Sequence, residues 1–190
     1  MHHPLETSAA AAFDLLRGFE GRMEAASGSH IVPGVWLAAD TGEGRIEAEA
    51  SAVPGALLRL DVRVLQPGRW LTLNIPLGLA GLAAGDRLGL VAELAADVAL
   101  QIGVGIRSGH DDGPVDMPFA DLLAAGPAPR AAIALLEVEA SMTRPDPPAW
   151  RNLMLHLPPR DQRLTLHDMR LFVQARPDPA PTPAEAAIGV

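Results

Sequence analysis

The chain has 190 residues, 48% of them hydrophobic, with 15 basic against 23 acidic residues, a net charge of −8, and neither Cys nor Tyr. That is enough chain for one globular core with an appendage. Without Cys there are no disulfides, thiolate metal sites or cysteine nucleophiles, and since every basic residue is Arg, lysine Schiff-base and P-loop chemistry are excluded too.

The Arg residues are scattered among Asp and Glu, which disfavours a phosphate-tracking surface and hence nucleic acid. The first residues, MHHPLETSAAAAF, lack a basic segment followed by an apolar one. The longest apolar run, Leu77–Ala84, is far shorter than the ~20 residues of a membrane span. A soluble protein is expected.

Residues 5–26 read as a helix, with Thr7 or Ser8 as its cap. Leu5, Ala9, Ala12, Leu16, Phe19, Met23 and Ala26 follow a heptad spacing. Such a stripe either packs on the helix's own domain or serves as an oligomerisation or docking seam. Ser27-Gly28-Ser29 ends it, so residues 1–28 are set apart as an N-terminal helical segment.

From about residue 31 the period changes to 2, the signature of half-buried strands. Strands are expected at 45–52, at Leu58–Val64, at Leu71–Ile75 before Pro76, at Leu88–Leu94 after a Gly85-Asp86 turn, and at Val98–Ile106. Gly103 and Gly105 on the second face of the last of these suggest a close approach or a bulge. A helical turn is expected at Phe119–Leu123 and further strands at Arg130–Met142, Trp150–Leu157 and Leu164–Val173, the last with a bulge at His167-Asp168. Residues 176–190, rich in Pro and Ala, read as a tail. With no crossover helices, the fold class is mainly β: two antiparallel sheets forming a sandwich over 29–175, with an N-terminal α-helix.

Trp150–Val173 (WRNLMLHLPPRDQRLTLHDMRLFV) and the central WLTLNIPL and GDRLGLVAELAA segments resemble the closing and middle strands of galactose-binding-like jelly rolls and related carbohydrate-binding modules. The resemblance covers roughly residues 31–175. It implies a sandwich whose ligand would be a polysaccharide or glycan, and it raises Ca²⁺ as a possible structural ion.

Several residues are candidates for a site. Trp36, Trp70 and Trp150 could each stack on a sugar ring; because Trp70 and Trp150 open strands beside alternating Leu residues, burial is the competing expectation. The polar loop 108–116 contains His110, Asp111, Asp112 and Asp116, which could contact a ligand or supply oxygens to Ca²⁺, although the spacing is not an EF-hand. His30, His110, His156 and His167 have no metal-site spacing among them, and His2 and His3 sit at a terminus expected to be mobile. Arg59, Arg63 and Arg107 could bind anionic sugars or pair across strands. Asp61, Glu93, Glu137 and Glu139 could serve glycoside hydrolysis only if two of them face each other in a cleft. No Gly-x-Ser-x-Gly, His-Glu-x-x-His or dinucleotide fingerprint is present.

The leading expectation is a non-catalytic polysaccharide-binding module without a cofactor, which could be oligomeric through residues 5–26. A structural protein of the spike or fibre kind, with a helix followed by a sandwich, is the alternative, and a glycan-active enzyme is the third reading.

Overall fold

The computed structural model describes residues 2–176. The tail expected at 176–190 falls outside them except for Arg176.

The chain opens with α1 (Pro4–Arg17). Thirteen strands follow: β1 (Arg22–Glu24), β2 (His30–Val32), β3 (Val35–Ala39), β4 (Arg45–Ser51), β5 (Leu58–Gln66), β6 (Leu71–Pro76), β7 (Arg87–Ala96), β8 (Leu100–His110), β9 (Gly113–Pro118), β10 (Leu123–Ala125), β11 (Arg130–Glu137), β12 (Trp150–His156) and β13 (Gln162–Gln174). They form two antiparallel sheets. The six-stranded sheet has the order β1-β4-β5-β13-β7-β11. The seven-stranded sheet runs β10-β8-β12-β6-β3-β2, with β9 also paired to β8. The expected mainly β class and two-sheet sandwich are borne out.

The alternation that marks the strands in sequence also builds the core. Leu58, Leu60 and Val62 of β5, Leu164 and Leu166 of β13, and Leu88, Leu90 and Leu94 of β7 point inward from one sheet. Ile102, Val104 and Ile106 of β8, Leu153 and Leu155 of β12, and Leu71, Leu73 and Ile75 of β6 meet them from the other. All join one continuous core, and burying each such side chain is worth about 1.5–3 kcal/mol. The register shift between Leu166 and Asp168 places a bulge where His167-Asp168 predicted one.

Two local expectations, the helix end and its cap, are corrected, and of the two readings of the heptad stripe the packing on its own domain is borne out. The helix ends at Arg17 rather than near residue 26, because Gly18 caps it and the chain turns at Gly21 into β1. The heptad seam is not a free surface: Leu5, Ala9, Ala12 and Leu16 are buried in the sandwich core, and Met23 lies on β1. The cap is His3, neither Thr7 nor Ser8. Its ring accepts the Leu5 N–H at 3.2 Å, and Pro4 opens the first turn. Ser8 instead ties the helix to the sandwich by accepting the Gly78 N–H at 2.7 Å. Glu6 does the same by accepting the Val173 N–H, which holds its carboxyl below the ordinary value.

The helical turn expected at Phe119–Leu123 does not form. Phe119 is buried and its N–H bonds to Val104, Ala120 bonds to Leu135, and the chain enters β10 at Leu123. Tertiary burial of Phe119 and Leu123 overrides a weak local preference. Among the described residues, no helix is long and apolar enough to cross a membrane.

Candidate functional site

The outward positions of the seven-stranded sheet follow from its register. On β12 they are Trp150, Asn152, Met154 and His156, standing opposite Gly109, Arg107, Gly105 and Gly103 of β8. On the other side, Met154 pairs with Asn74 and His156 with Thr72 of β6, and Trp36 pairs in turn with Asn74. Asp116 of β9 pairs with Arg107.

Glycines shape this face. The Trp150 indole lies directly over Gly109, where a Cβ would collide with its five-membered ring. A side chain at Gly103 would meet the His156 Cβ at 3.2 Å, and the His156 ring reaches across to Gly105. The missing side chains let the rings of β12 lie down on the neighbouring strand. This is the close approach that Gly103 and Gly105 suggested in the sequence, and it leaves Trp150 44% exposed. The expectation that Trp70 and Trp150 are core residues is therefore corrected: both are 44% exposed. Trp150, whose cross-strand partner is Gly109, packs on backbone instead of in the core, whereas Trp70 stands opposite Asp40 at the sheet end.

Trp36 is half-buried and packs against the exposed His30, ring centroids 5.6 Å apart. It stands two strands across and four residues along from Trp150, about 16 Å away by strand rise and spacing. Trp70 sits one residue before β6, at the opposite end of the sheet from Trp150. Its carbonyl accepts the Asp40 N–H. Asp40 is buried and also accepts from the Arg69 backbone and guanidinium, which holds its carboxyl below the usual carboxylate value.

Polar groups share this face with the two indoles: Asn152 and Asn74 lie between them, Arg107 and Asp116 lie on the far side of β12 from Trp36, and His156 lies two residues beyond the level of Trp36. Asp116 takes a bidentate pair from Arg107 at 2.6 and 2.7 Å, which holds its carboxyl below 3.8. Burial, then the Arg107 charge, pushes the His156 imidazole below 6.5, and Asp116 opposes that shift in part. Above 6.5, His156 is neutral in the folded protein, with both a donor and an acceptor nitrogen. The half-buried Asn152 adds an amide, and Asn74 is fixed by donating to Thr72 Oγ1 at 3.1 Å.

The remaining loop candidates do not join this cluster. Asp111 and Asp112 are exposed at the tip of the β8–β9 hairpin, with Asp112 3.8 Å from Arg144. His110 has inward parity and lines a cavity at the end of the sandwich. The three Asp residues do not converge on a Ca²⁺ position, because the hairpin carries Asp116 onto a strand where Arg107 claims it. Among the described residues, no group of three or more His, Asp or Glu could hold a metal ion.

A hollow of 1010 Å³ lies on the outer face of the other sheet. It contains no aromatic ring, and its four Arg side chains are all ion-paired: Arg22 with Glu49 at 3.1 Å, Arg63 with Glu47 at 3.6 Å, and Arg59 and Arg163 both with Asp61, while Asp97 and Asp161 accept the Arg163 and Val64 backbone N–H groups. Arg59 and Arg63 are thus cross-strand or same-strand partners. Glu137 pairs with Arg87, Glu93 lies opposite Ala131 further along β11, and Glu139 stands beyond the strand at the start of a short 3₁₀ turn. The four carboxylates proposed for hydrolysis are not gathered in one cleft.

With this geometry in hand, the solved structures that resemble the chain are informative. A structure of CBM4 aligns with a TM-score of 0.54 and 14% identity, over 83% of this chain and 97% of that one. The chain has the sandwich fold of a carbohydrate-binding module. The CBM22-1 xylan-binding domain from Paenibacillus barcinonensis Xyn10C aligns at 0.49 with 6% identity, over 83% and 99% of the two chains. The family 11 carbohydrate-binding module of the Clostridium thermocellum cellulosomal cellulase Lic26A-Cel5E aligns at 0.48 with 8% identity, over 84% and 99%. No protein-family model and no curated protein matches the sequence. The jelly-roll resemblance seen in Trp150–Val173 is thus borne out as a resemblance of fold.

Sequence reasoning found Trp36, Trp150 and Asp116 but did not single out Asn152, Asn74 or Met154. The signal was present in Trp150-Arg151-Asn152-Leu153-Met154-Leu155-His156, whose period of 2 places the four polar or bulky residues on one face and Arg151 with the core.

Proposed function

We propose that this chain is a non-catalytic glycan-binding module whose ligand lies on the outer face of the seven-stranded sheet. The observation that carries the proposal is the Trp150 indole, seated over Gly109 and 44% exposed, with the Asn152 amide two residues along its strand and the Asn74 amide between it and Trp36. A pyranose ring offers apolar C–H groups to an indole face and hydroxyls to amide groups. The ~16 Å between Trp150 and Trp36 exceeds a single sugar ring, so the ligand class is an oligosaccharide or polysaccharide. Trp70, at the far end of the sheet, contributes only to longer chains.

The experiment is a glycan array followed by titration of tryptophan fluorescence with each hit. The proposal expects a defined hit whose affinity falls at least tenfold in Trp150→Ala while the circular dichroism spectrum is retained. Unchanged affinity in Trp150→Ala refutes this placement of the ligand. No hit on the array refutes the function.

A further inference from the structure

A second site lies on the inner side of the same sheet end. Arg151 and Ser108 are cross-strand neighbours that point inward, directly behind Trp150 and Gly109. Arg151 is only 6% exposed. Its Nε donates to Ser108 Oγ at 2.9 Å and its Nη1 to the Ala80 carbonyl at 2.5 Å. Of the five guanidinium N–H groups, the other three have no partner among the described residues, and no carboxylate pairs with this charge. Burial accordingly pushes the guanidinium below its ordinary value. A buried Arg is almost always paired, because an unanswered charge away from water is costly.

Arg151 lines a cavity of 190 Å³ together with His110. The Nδ1 of His110 is buried and has no hydrogen-bond partner. Leu79, Leu82 and Met142 supply apolar walls. The mouth loop brings Arg144 and Asp146; Asp146 is exposed and forms no ion pair among the described residues, and Arg144 faces Asp112. The cavity is smaller than the ~300–1,000 Å³ of a drug-sized ligand pocket, so it suits one small group. A buried guanidinium with no carboxylate partner, an unpartnered imidazole nitrogen and apolar walls define the chemistry of that group.

We infer that this cavity is a carboxylate-binding site, in which Arg151 supplies the charge-assisted hydrogen bonds and His110 a further donor. The carboxylate belongs either to a free short-chain acid or to an acidic sugar; both offer the planar oxyanion that a guanidinium fork recognises. The site is separate from the outer face and does not depend on glycan binding there.

The test is NMR titration of the Arg151 Nε–H and His110 ring resonances in the full chain. The probes are sodium acetate, sodium glucuronate, inorganic phosphate and glucose, at constant ionic strength. Saturable shifts with acetate support the site with a free acid as ligand, and shifts with glucuronate alone support it with an acidic sugar. Shifts with neither, or with phosphate alone, overturn it. Because Arg151→Gln also removes the bonds to Ser108 and Ala80, the companion variant is Leu82→Trp, which fills the cavity and leaves Arg151 in place. Loss of the carboxylate shifts in folded Leu82→Trp is expected, and their persistence would overturn the proposal. So would a shift of the Arg151 resonance in ligand-free Asp146→Asn, since the loop's own carboxylate would then be the guanidinium's partner.

Discussion

The two outer faces of the sandwich are built from the same alternation and differ in what they leave unsatisfied. On the six-stranded sheet, Phe172 lies over Gly89 much as Trp150 lies over Gly109 on the other. Around Phe172 stand Val91, Ile133 and Leu135, which offer no hydrogen bonds, with Arg170 and Gln174 two residues to either side on β13, and Arg–carboxylate pairs cover the β4–β5 part of that face. Each pair spends its donors and acceptors on itself, and exposed pairs contribute little stability. On the seven-stranded sheet, the ring over glycine carries an indole N–H, and its same-face neighbour two residues along β12 is the Asn152 amide. Having a glycine–aromatic platform does not make a binding face. The chemistry beside it does.

The largest effect is expected where the faces share a core. Leu16→Ala should cost about 2–5 kcal/mol of unfolding free energy, measured by urea denaturation, and should leave the molecular mass in solution unchanged, because the seam is occupied by the chain's own sandwich. A dimer-to-monomer change would restore the oligomerisation reading.

Next come the two glycines. Gly109→Ala and Gly89→Ala each force a ring off its neighbour and should each cost about 1–3 kcal/mol. Only Gly109→Ala should also weaken glycan binding, read by fluorescence titration. Equal losses of affinity in both would erase the distinction between the faces. The direct contrast is smaller in energy: Trp150→Ala should lose at least tenfold in affinity, about 1.4 kcal/mol, and Phe172→Ala should lose none. Smaller still, Arg63→Gln should change stability by about 0–1 kcal/mol and affinity not at all, since Arg63 serves only its exposed pair with Glu47.

The pH dependence separates two groups on the binding face. Asp116 is held below 3.8 when folded, so its stabilising contribution is complete above 3.8 and is lost as the pH falls through the lowered folded value. His156 is held below 6.5 when folded, so between 6.5 and its folded value the unfolded chain binds more protons and stability declines as the pH falls. His156→Gln should flatten the thermal-melting profile just below pH 6.5 and leave the acid limb below 3.8 unchanged.

Much of the sandwich was legible because a half-buried strand writes its two faces into alternate letters. Arg59-Leu60-Asp61-Val62-Arg63 states both its core and its solvent side. The short strands β1, β2 and β10 were not legible, since three residues carry no measurable period and pair only because longer neighbours present an edge. The helix was overextended because Phe19 and Met23 continue its spacing, and spacing alone does not register the turn that Gly18 and Gly21 impose. On the candidate site, the Trp residues stood out by type, whereas Asn152 and Asn74 became visible only once the register brought their strands together. The buried charge of Arg151 was hidden for the same reason: its inward parity is plain in β12, but the lack of a partner is a fact of three dimensions.

The central claim is that the ligand lies on the Trp150 side of the sandwich. The most direct measurement is a two-dimensional NMR titration of the three tryptophan indole N–H resonances, and of the backbone amides, with a glycan hit. The account predicts that the Trp150 and Trp36 indole signals move together with the amides of β12 and β8, while those of β4 and β5 stay still. Movement confined to β4, β5 and β13, with the indoles unshifted, would place the ligand on the ion-paired face and contradict it.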